Sequence, residues 1–219
     1  MKYYHNLFND RWVIEHIYEG MENGFFIEAG AMGGILVSST YILEKDFKWN
    51  GICVEAIDEK YEKLKRNRNC FHDNRCLSNQ SGLQVSFTLF NDKTGYSGIT
   101  NTFNVPNKHM LEKEKHQTYN KETVSLQDLL IQHNAPNIID YFGLDVEGHE
   151  PDILKAFPFS KPYTILAVSI EGHKCDHIMK GNGYLPVKNP YTENTNESYF
   201  IHQDIAKYRN VNLDKLNFL

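Results

Sequence analysis

Acidic residues and glycines follow short apolar runs in this sequence, as they do where parallel strands end beside a ligand. Glu28 lies near the end of FFIEA, and Gly30 and Gly34 come just after it. Glu55 is near the end of GICVEA, and Asp145 follows the run IIDYFGL. Glycine lets the main chain approach a ligand closely, and a carboxylate accepts hydrogen bonds from vicinal hydroxyls. These residue types indicate a site for a ligand that contains a ribose.

The spacing within the glycine loop argues against a dinucleotide. A pyrophosphate is held by backbone N–H groups at a helix start, typically after GxGxxG. The loop GAMGG lacks that motif. Glu55 also lies further along the chain from Glu28 than the ~20 positions expected between the first strand and the ribose-binding acid of a dinucleotide site. The sequence therefore favours adenosine without a pyrophosphate, and an NAD-dependent oxidoreductase is the less favoured alternative.

Side chains that can take a proton follow two later apolar runs. The candidate bases are Asp145, Glu147, His149, Glu171 and His173. Removing a proton from a hydroxyl needs a base within hydrogen-bond reach. We expect Asp145 and Glu147 to share one face of a strand that extends to residue 147. Two acids there are costly unless compensated, which favours a function over simple capping of helix amides; for His149 and His173, local hydrogen bonding is an open alternative.

The same part of the chain offers oxygen ligands to a divalent cation. Asp145, Glu147 and Glu171 carry the carboxylates that such a cation accepts. Nothing in their spacing requires a metal, so a divalent metal is possible but is not expected.

Short apolar runs alternate with helical patterns, which predicts an α/β fold. Strands are expected at 25–29, 51–56, within 70–78, and at 83–90, 138–147, 163–172 and 198–205. Helices are expected at 35–47, at 58–68 with Asp58 as the cap, after Ser125 as a cap, at 151–157 and at 174–184. Continuous apolar strands between helices indicate a parallel sheet with right-handed crossovers and helices on both faces.

Residues 91–122 interrupt this alternation with turn-forming and charged residues. A segment of this length is expected to be either a lid over the strand ends or a disordered insertion. Its aromatic residues Tyr96, Phe103 and Tyr119 either stack on a flat or sugar-like ligand or, as the favoured alternative, pack against the domain.

Composition narrows the class of protein. The 219 residues are 41% hydrophobic, which fits one domain spanning 1–219 with 91–122 as an insertion. The net charge of −5, without a basic cluster, argues against a nucleic-acid partner. No run approaches the ~20 apolar residues of a membrane span. The first residues lack the apolar core of a signal peptide. The four cysteines form no CxxC pair. We therefore expect a cytoplasmic protein without a membrane partner, and the oligomeric state stays open.

Five segments resemble the FkbM-type S-adenosylmethionine-dependent methyltransferases in their order and spacing. They are FFIEAGAMGG, SSTYILEKDFKWNGICVEAIDEKYEKLKRNR, TVSLQDLL, IIDYFGLDVEGHEPDILKAF and VSIEG. The resemblance covers about residues 24–90 and 122–202. It implies a Rossmann-like class I methyltransferase fold, with a seven-stranded, mostly parallel sheet whose last strand is antiparallel, and it implies S-adenosylmethionine as the cofactor.

The resemblance also assigns residues to the site. Those implied to bind the cofactor are Glu28, Gly30, Ala31, Gly34, Ser39, Glu55, Ala56, Asn74, Cys76 and Asp145. Among them, Glu55 is implied to bind the ribose, and the segment from Asn74 to Ser78 is implied to line the adenine. Asp145 and Glu147 are implied to lie near the sulfonium and the methyl acceptor.

Two positions depart from the family pattern. Met32 stands where the family usually has Asn, and the family's SNTY reads SSTY here, with Ser39. Losing one carboxamide hydrogen bond weakens cofactor binding by ~0.5–1.5 kcal/mol. The expected activity is O-methylation of a hydroxyl on a small molecule or glycan. The alternative is a non-catalytic module that binds an adenosine cofactor or a glycan.

Overall fold

The structure is a computed structural model that describes residues 1–91, 94–103 and 105–219. Strands alternate with helices over much of this length. Within the described residues the strands are β1 (Phe25–Ala29), β2 (Asn50–Val54), β3 (Phe71–Asp73), β4 (Cys76–Ser78), β5 (Gln84–Phe90), β6 (Gly98–Ile99), β7 (His116–Ser125), β8 (Ile138–Leu144), β9 (Thr164–Glu171), β10 (Tyr184–Val187) and β11 (Glu197–His202).

The helices are mostly short. The α-helices in the described part of the chain are α1 (Asn9–Arg11), α2 (Tyr41–Phe47), α3 (Asp58–Asn67), α4 (Val105–Lys113), α5 (Leu126–Gln132), α6 (Glu150–Ala156), α7 (Asp176–Gly181) and α8 (Ile205–Tyr208). A π-helix (Trp12–Ile17) continues α1, and short 3₁₀ helices lie at Thr94–Tyr96, Thr100–Thr102 and Leu213–Lys215. The predicted cap of α5 is confirmed, because the Ser125 side chain accepts a hydrogen bond from the Asp128 N–H.

Seven strands form the main sheet in the order β10-β11-β9-β8-β1-β2-β3. The five strands from β9 to β3 pair in parallel, whereas β11 is antiparallel to both β9 and β10. The implied seven-stranded sheet with its antiparallel last strand is therefore confirmed.

Both faces of this sheet are buried, which explains the continuous apolar runs. On β1, Phe25 and Ile27 belong to one core cluster, and Phe26 belongs to the cluster on the opposite face. Helices cover such a sheet on both sides, so alternate residues of each strand pack into different halves of the core. The carboxyl ends of β1, β2 and β8 then meet at one edge, where chain crossovers diverge and ligands bind in open α/β sheets.

A second sheet forms where the sequence predicts an interruption. Its order is β4-β7-β5-β6, and β7 pairs antiparallel with β5 from Gln84↔Glu122 to Phe90↔His116. The interpretation of 91–122 as a loop is therefore wrong for residues 116–122, and β6 and α4 also lie in this segment. Residues 92, 93 and 104 of the segment lie outside the described residues. Whether any of it acts as a lid stays a prediction.

Three other boundaries differ from expectation. The single strand predicted within 70–78 is two strands, β3 in the main sheet and β4 in the second. The helix predicted from residue 35 begins at Tyr41, because Ser38 to Thr40 are engaged in a buried hydrogen-bond network. Asp58 is the first residue of α3 rather than its cap, which is Ile57.

No helix in the described ranges combines the length and apolar character that crossing a membrane requires.

Candidate active site

A cavity of about 460 Å³ opens at the carboxyl ends of the central parallel strands. Gly30 after β1, Glu55 after β2, Asp145 after β8 and Glu171 at the end of β9 all line it. The sheet thus brings together the glycine, the predicted ribose acid Glu55 and two of the candidate bases that the sequence placed at strand ends.

Glu55 is the most firmly positioned acid in this cavity. Its carboxylate accepts hydrogen bonds from the backbone N–H groups of Met32 and Ile57, both at 2.7 Å. Burial raises the pKa of Glu55 to about 7, and the two backbone hydrogen bonds oppose that rise. Because each carboxylate oxygen has two lone pairs, both can still accept from a ligand hydroxyl. Ala56 and Cys76, also predicted cofactor residues, line the same cavity.

The position of Met32 clarifies the departure from the family pattern. It is the backbone N–H of Met32, rather than its side chain, that holds Glu55. Met32 has φ of 50°, in the left-handed region that Asn adopts more readily than most residues. An Asn at this position therefore suits the backbone itself, and Met32 keeps the contact to Glu55 at a conformational cost of about 1 kcal/mol.

Gly30 allows two strand ends to approach each other. It has φ of 82°, and a Cβ atom placed there would lie 2.0 Å from the carbonyl oxygen of Asp145. Any side chain would push the turn after β1 away from the turn after β8. Glycine at this position is thus required for the cavity to have its present shape.

Glu28 supports the glycine loop from beneath. Its buried carboxylate accepts hydrogen bonds from the Ser38 and Thr40 hydroxyls and from the backbone N–H of Ser39, and it lies 3.4 Å from the Arg68 guanidinium. Glu28 and Ser39 line a separate small cavity of about 30 Å³ rather than the main one. These contacts hold the segment from Ser38 to Thr40 in place, and cofactor binding by Glu28 and Ser39 stays a prediction.

Three further predicted cofactor residues do not line the main cavity. A Cβ at Gly34 would lie 2.7 Å from Leu64, so this glycine permits packing against α3. Ala31 is buried and donates its backbone N–H to the Val54 carbonyl. The Asn74 amide donates to the Glu55 carbonyl at 2.9 Å and so supports the strand end.

Asp145 and Glu147 both line the cavity, but not as successive residues of a strand. β8 ends at Leu144, and Glu147 has φ of 61°, so the predicted alternation along a strand is wrong. The turn instead forms around Glu150, whose side chain accepts hydrogen bonds from the backbone N–H groups of Val146 and Gly148.

Several carboxylates lie close together at this turn, where the pKa values of Asp145 and Glu171 are raised. Asp145 is exposed and lines the cavity. Desolvation by the surrounding protein, followed by the charges of Glu171 and Glu147, raises its pKa well above the usual range. Burial and nearby Glu150 raise the pKa of Glu171 to about 6. The pKa of each acid therefore lies above its ordinary value, which makes each carboxylate a stronger base.

The two candidate histidines lie in different places. His149 lines the main cavity, its Nε2 is 2.9 Å from the Ser78 hydroxyl, and burial lowers its pKa. His173 lies instead in a second cavity, where its ring nitrogens contact the Ser198 hydroxyl and the Thr195 carbonyl. The structure does not bring His173 to the main cavity.

The carboxylates that lie closest to one another differ from the predicted cation ligands. Oxygens of Asp145, Glu150 and Glu171 lie within 4.8 Å of one another, whereas the sequence suggested Glu147 as the third member. Acidic groups at a surface are common without a metal, and Glu150 already binds two backbone N–H groups. The set alone does not indicate a metal site.

Raised carboxyl pKa values predict a pH-dependent stability. The Glu171 pKa of about 6 exceeds its ordinary value of 4.5, so the folded state binds this proton more tightly than the unfolded state does. Its stabilising contribution is present below pH ~4.5 and is lost as the pH rises through ~6. We expect Glu171→Gln to gain about 1.5 kcal/mol of unfolding free energy relative to the wild type between pH 4.5 and 7.5. Urea titrations across this range test it, and a constant difference between the two proteins would contradict it.

Two cavity-lining stretches were missed by the sequence analysis. One is His5 to Leu7, and the other contributes Asn194, Asn196 and Glu197. The two are joined, because Asn9 donates to Glu197 at 2.6 Å and Asn189 donates to the Leu7 carbonyl at 3.0 Å. The only available signal was the run TENTNES between two strands, whose many amide and hydroxyl groups are also typical of an ordinary loop.

The three aromatic residues of the insertion were predicted either to contact a ligand or to pack against the domain, and they do not all follow the same alternative. Tyr96 lines the cavity. Phe103 stacks on Phe90 at 5.9 Å, and Tyr119 packs against Phe87 at 5.6 Å, so these two contribute to packing.

The strand order and the cavity at the strand ends are those of the Rossmann-like methyltransferase class. Comparison with known families agrees, since the methyltransferase FkbM domain matches residues 28–186. The chain belongs to the FkbM methyltransferase family. No curated protein matches the sequence.

Among solved structures, the chain is similar to precorrin-6y C5,15-methyltransferase from Geobacter metallireducens GS-15. The sequence identity is 10% and the TM-score is 0.41, with 83% of this chain and 79% of that chain covered. A similarity at this level carries no argument about activity.

Proposed function

We propose that the protein is an S-adenosylmethionine-dependent methyltransferase that methylates a hydroxyl group of a small molecule or glycan. The observation that carries the proposal is the placement of Glu55 at the end of the second strand, lining the cavity beside the glycine turn. A carboxylate in that position suits the two hydroxyls of a ribose.

The residues present fit an adenosyl cofactor. The cavity of about 460 Å³ falls within the range of small-molecule sites. Glu55 would hold the ribose, Ala56 and Cys76 would line the base, and the main chain at Gly30 would approach the amino-acid end. When bound, S-adenosylmethionine supplies an electrophilic methyl group.

Asp145 is the residue that we assign to proton removal. It lines the cavity at the end of β8, and its raised pKa makes its carboxylate a stronger base toward an acceptor hydroxyl. Glu171 lies beside it and shares the local negative charge.

Two measurements test the proposal. Calorimetry with S-adenosylhomocysteine and with NAD should show binding of the first only, and selective binding of NAD would refute the assignment. Incubation with methyl-labelled cofactor and pools of hydroxyl-bearing metabolites and glycans should then label an acceptor. Cofactor binding without transfer to any pool would instead support a non-catalytic module.

A further inference from the structure

A second cavity adjoins the proposed active site. It has a volume of about 540 Å³ and is lined chiefly by residues between Pro186 and Phe200. Asn194 and Glu197 line both this cavity and the first one. The two spaces therefore share a wall at the side of the site where Glu171 and Asp145 lie.

Exposed carboxamides with unused hydrogen-bonding capacity lie in the walls of these cavities. The Asn194 side chain accepts from the Asn196 N–H at 2.8 Å, but its amide group donates to none of the described residues. The side chains of Asn6 and Asn196, which line the first cavity, make no hydrogen bond within the described part of the chain. A carboxamide offers two donors and an acceptor oxygen, a combination that pairs well with neighbouring hydroxyls.

The charge of the two cavities disfavours an anionic ligand. The carboxylates that line them are those of Glu55, Asp145, Glu147, Glu171, Glu197, Asp176 and Glu193. Of the lining cations, Arg75 is paired in a bidentate manner with Asp73, and Lys188 lies in the second cavity. A phosphate or carboxylate group would meet net repulsion at both ends.

The acid at the junction is held in place by hydrogen bonds. Glu197 accepts a hydrogen bond from Asn9 at 2.6 Å, and Asn9 is held in turn by the Tyr199 hydroxyl at 2.7 Å. The Glu197 carboxylate is thus positioned to accept a further hydrogen bond from a ligand hydroxyl.

We propose that the two cavities form one acceptor groove for a neutral oligosaccharide, with Asn194 and Glu197 binding hydroxyls at the junction. This inference rests on the proposed methyltransferase function. The sugar unit that reacts lies in the first cavity beside Asp145, and the following units occupy the second. Residues 194–197 and 5–7 lie outside the span of the family match, and under this proposal they bind the acceptor.

The test is methyl-transfer kinetics with neutral, uronic-acid and amino-sugar glycans, each from mono- to tetrasaccharide. Neutral oligosaccharides should give kcat/KM at least tenfold above their monosaccharides. Asn194→Ala should lower kcat/KM for the oligosaccharide about tenfold, as expected for one lost hydrogen bond, and should leave S-adenosylhomocysteine affinity unchanged. The matched control is Asn69→Ala, an exposed asparagine that lines neither cavity.

Preference for acidic or amine-bearing glycans, no gain with chain length, or no glycan methylated at all would overturn the oligosaccharide assignment. In each of those cases S-adenosylhomocysteine would still bind. Failure of the proposed methyltransferase function would be distinguishable from these outcomes. In that case the wild-type protein would not bind S-adenosylhomocysteine in calorimetry, and both proposals would be refuted.

Discussion

Glu55→Ala is expected to weaken S-adenosylhomocysteine binding by about a hundredfold. The substitution removes the carboxylate that lines the cavity, and it leaves the Met32 and Ile57 N–H groups without their acceptor. Hydrogen bonds to a charged group contribute about 1.5–3 kcal/mol each, and a hundredfold change corresponds to about 2.8 kcal/mol. Calorimetry measures the effect, and unchanged affinity would refute the assignment of Glu55 to the ribose.

In Glu55 variants, loss of the ribose contact can be separated experimentally from displacement of the glycine loop. S-adenosylhomocysteine and its 2′-deoxy analogue should differ about tenfold in affinity for the wild type, because one hydroxyl donor is lost. With Glu55→Gln that difference should shrink, and an unchanged difference would show that Glu55 only positions the loop. Glu62→Ala is the control, since Glu62 lies exposed on α3 and pairs with Lys65.

Asp145→Asn is expected to lower kcat by about 10²- to 10⁴-fold, the range for removal of a general base. Asn keeps the size of the side chain but cannot take the acceptor proton. S-adenosylhomocysteine affinity should change by less than about threefold, because the backbone contact at Gly30 is retained. Initial rates at saturating cofactor and acceptor test this, with exposed Asp46→Asn on α2 as the control.

The pH profile gives an independent check of the same residue. Because the pKa of Asp145 is raised, the wild-type kcat should fall as the pH drops through that pKa and the base becomes protonated. The residual activity of Asp145→Asn should lack this acidic limb. An acidic limb that persists unchanged in the variant would assign proton removal to another group, such as His149 in the same cavity.

The central strands could be predicted from the sequence because both of their faces are buried. β1 and β8 are covered on both faces, so nearly every residue is apolar and the runs are unmistakable. β7 was missed for the opposite reason. Most of its first seven residues are exposed and polar, and it is held by distant pairing with β5 rather than by an apolar pattern of its own.

Strand-end acids show a second limit of sequence reasoning. Glu28 and Glu55 both follow apolar residues, yet only Glu55 lines the main cavity. Glu28 is still within β1, on the face that carries Phe26, so it points toward Arg68 beneath the loop. Glu55 lies one residue beyond β2 and escapes that alternation. The difference depends on where each strand ends, to within one residue, and the sequence does not fix that boundary.

The hydrogen bond between Asn9 and Glu197 ties together two stretches that flank the family domain. Under the proposed function both stretches belong to the acceptor side of the site, and this bond anchors one to the other. A displacement of either stretch is therefore expected to shift the other as well.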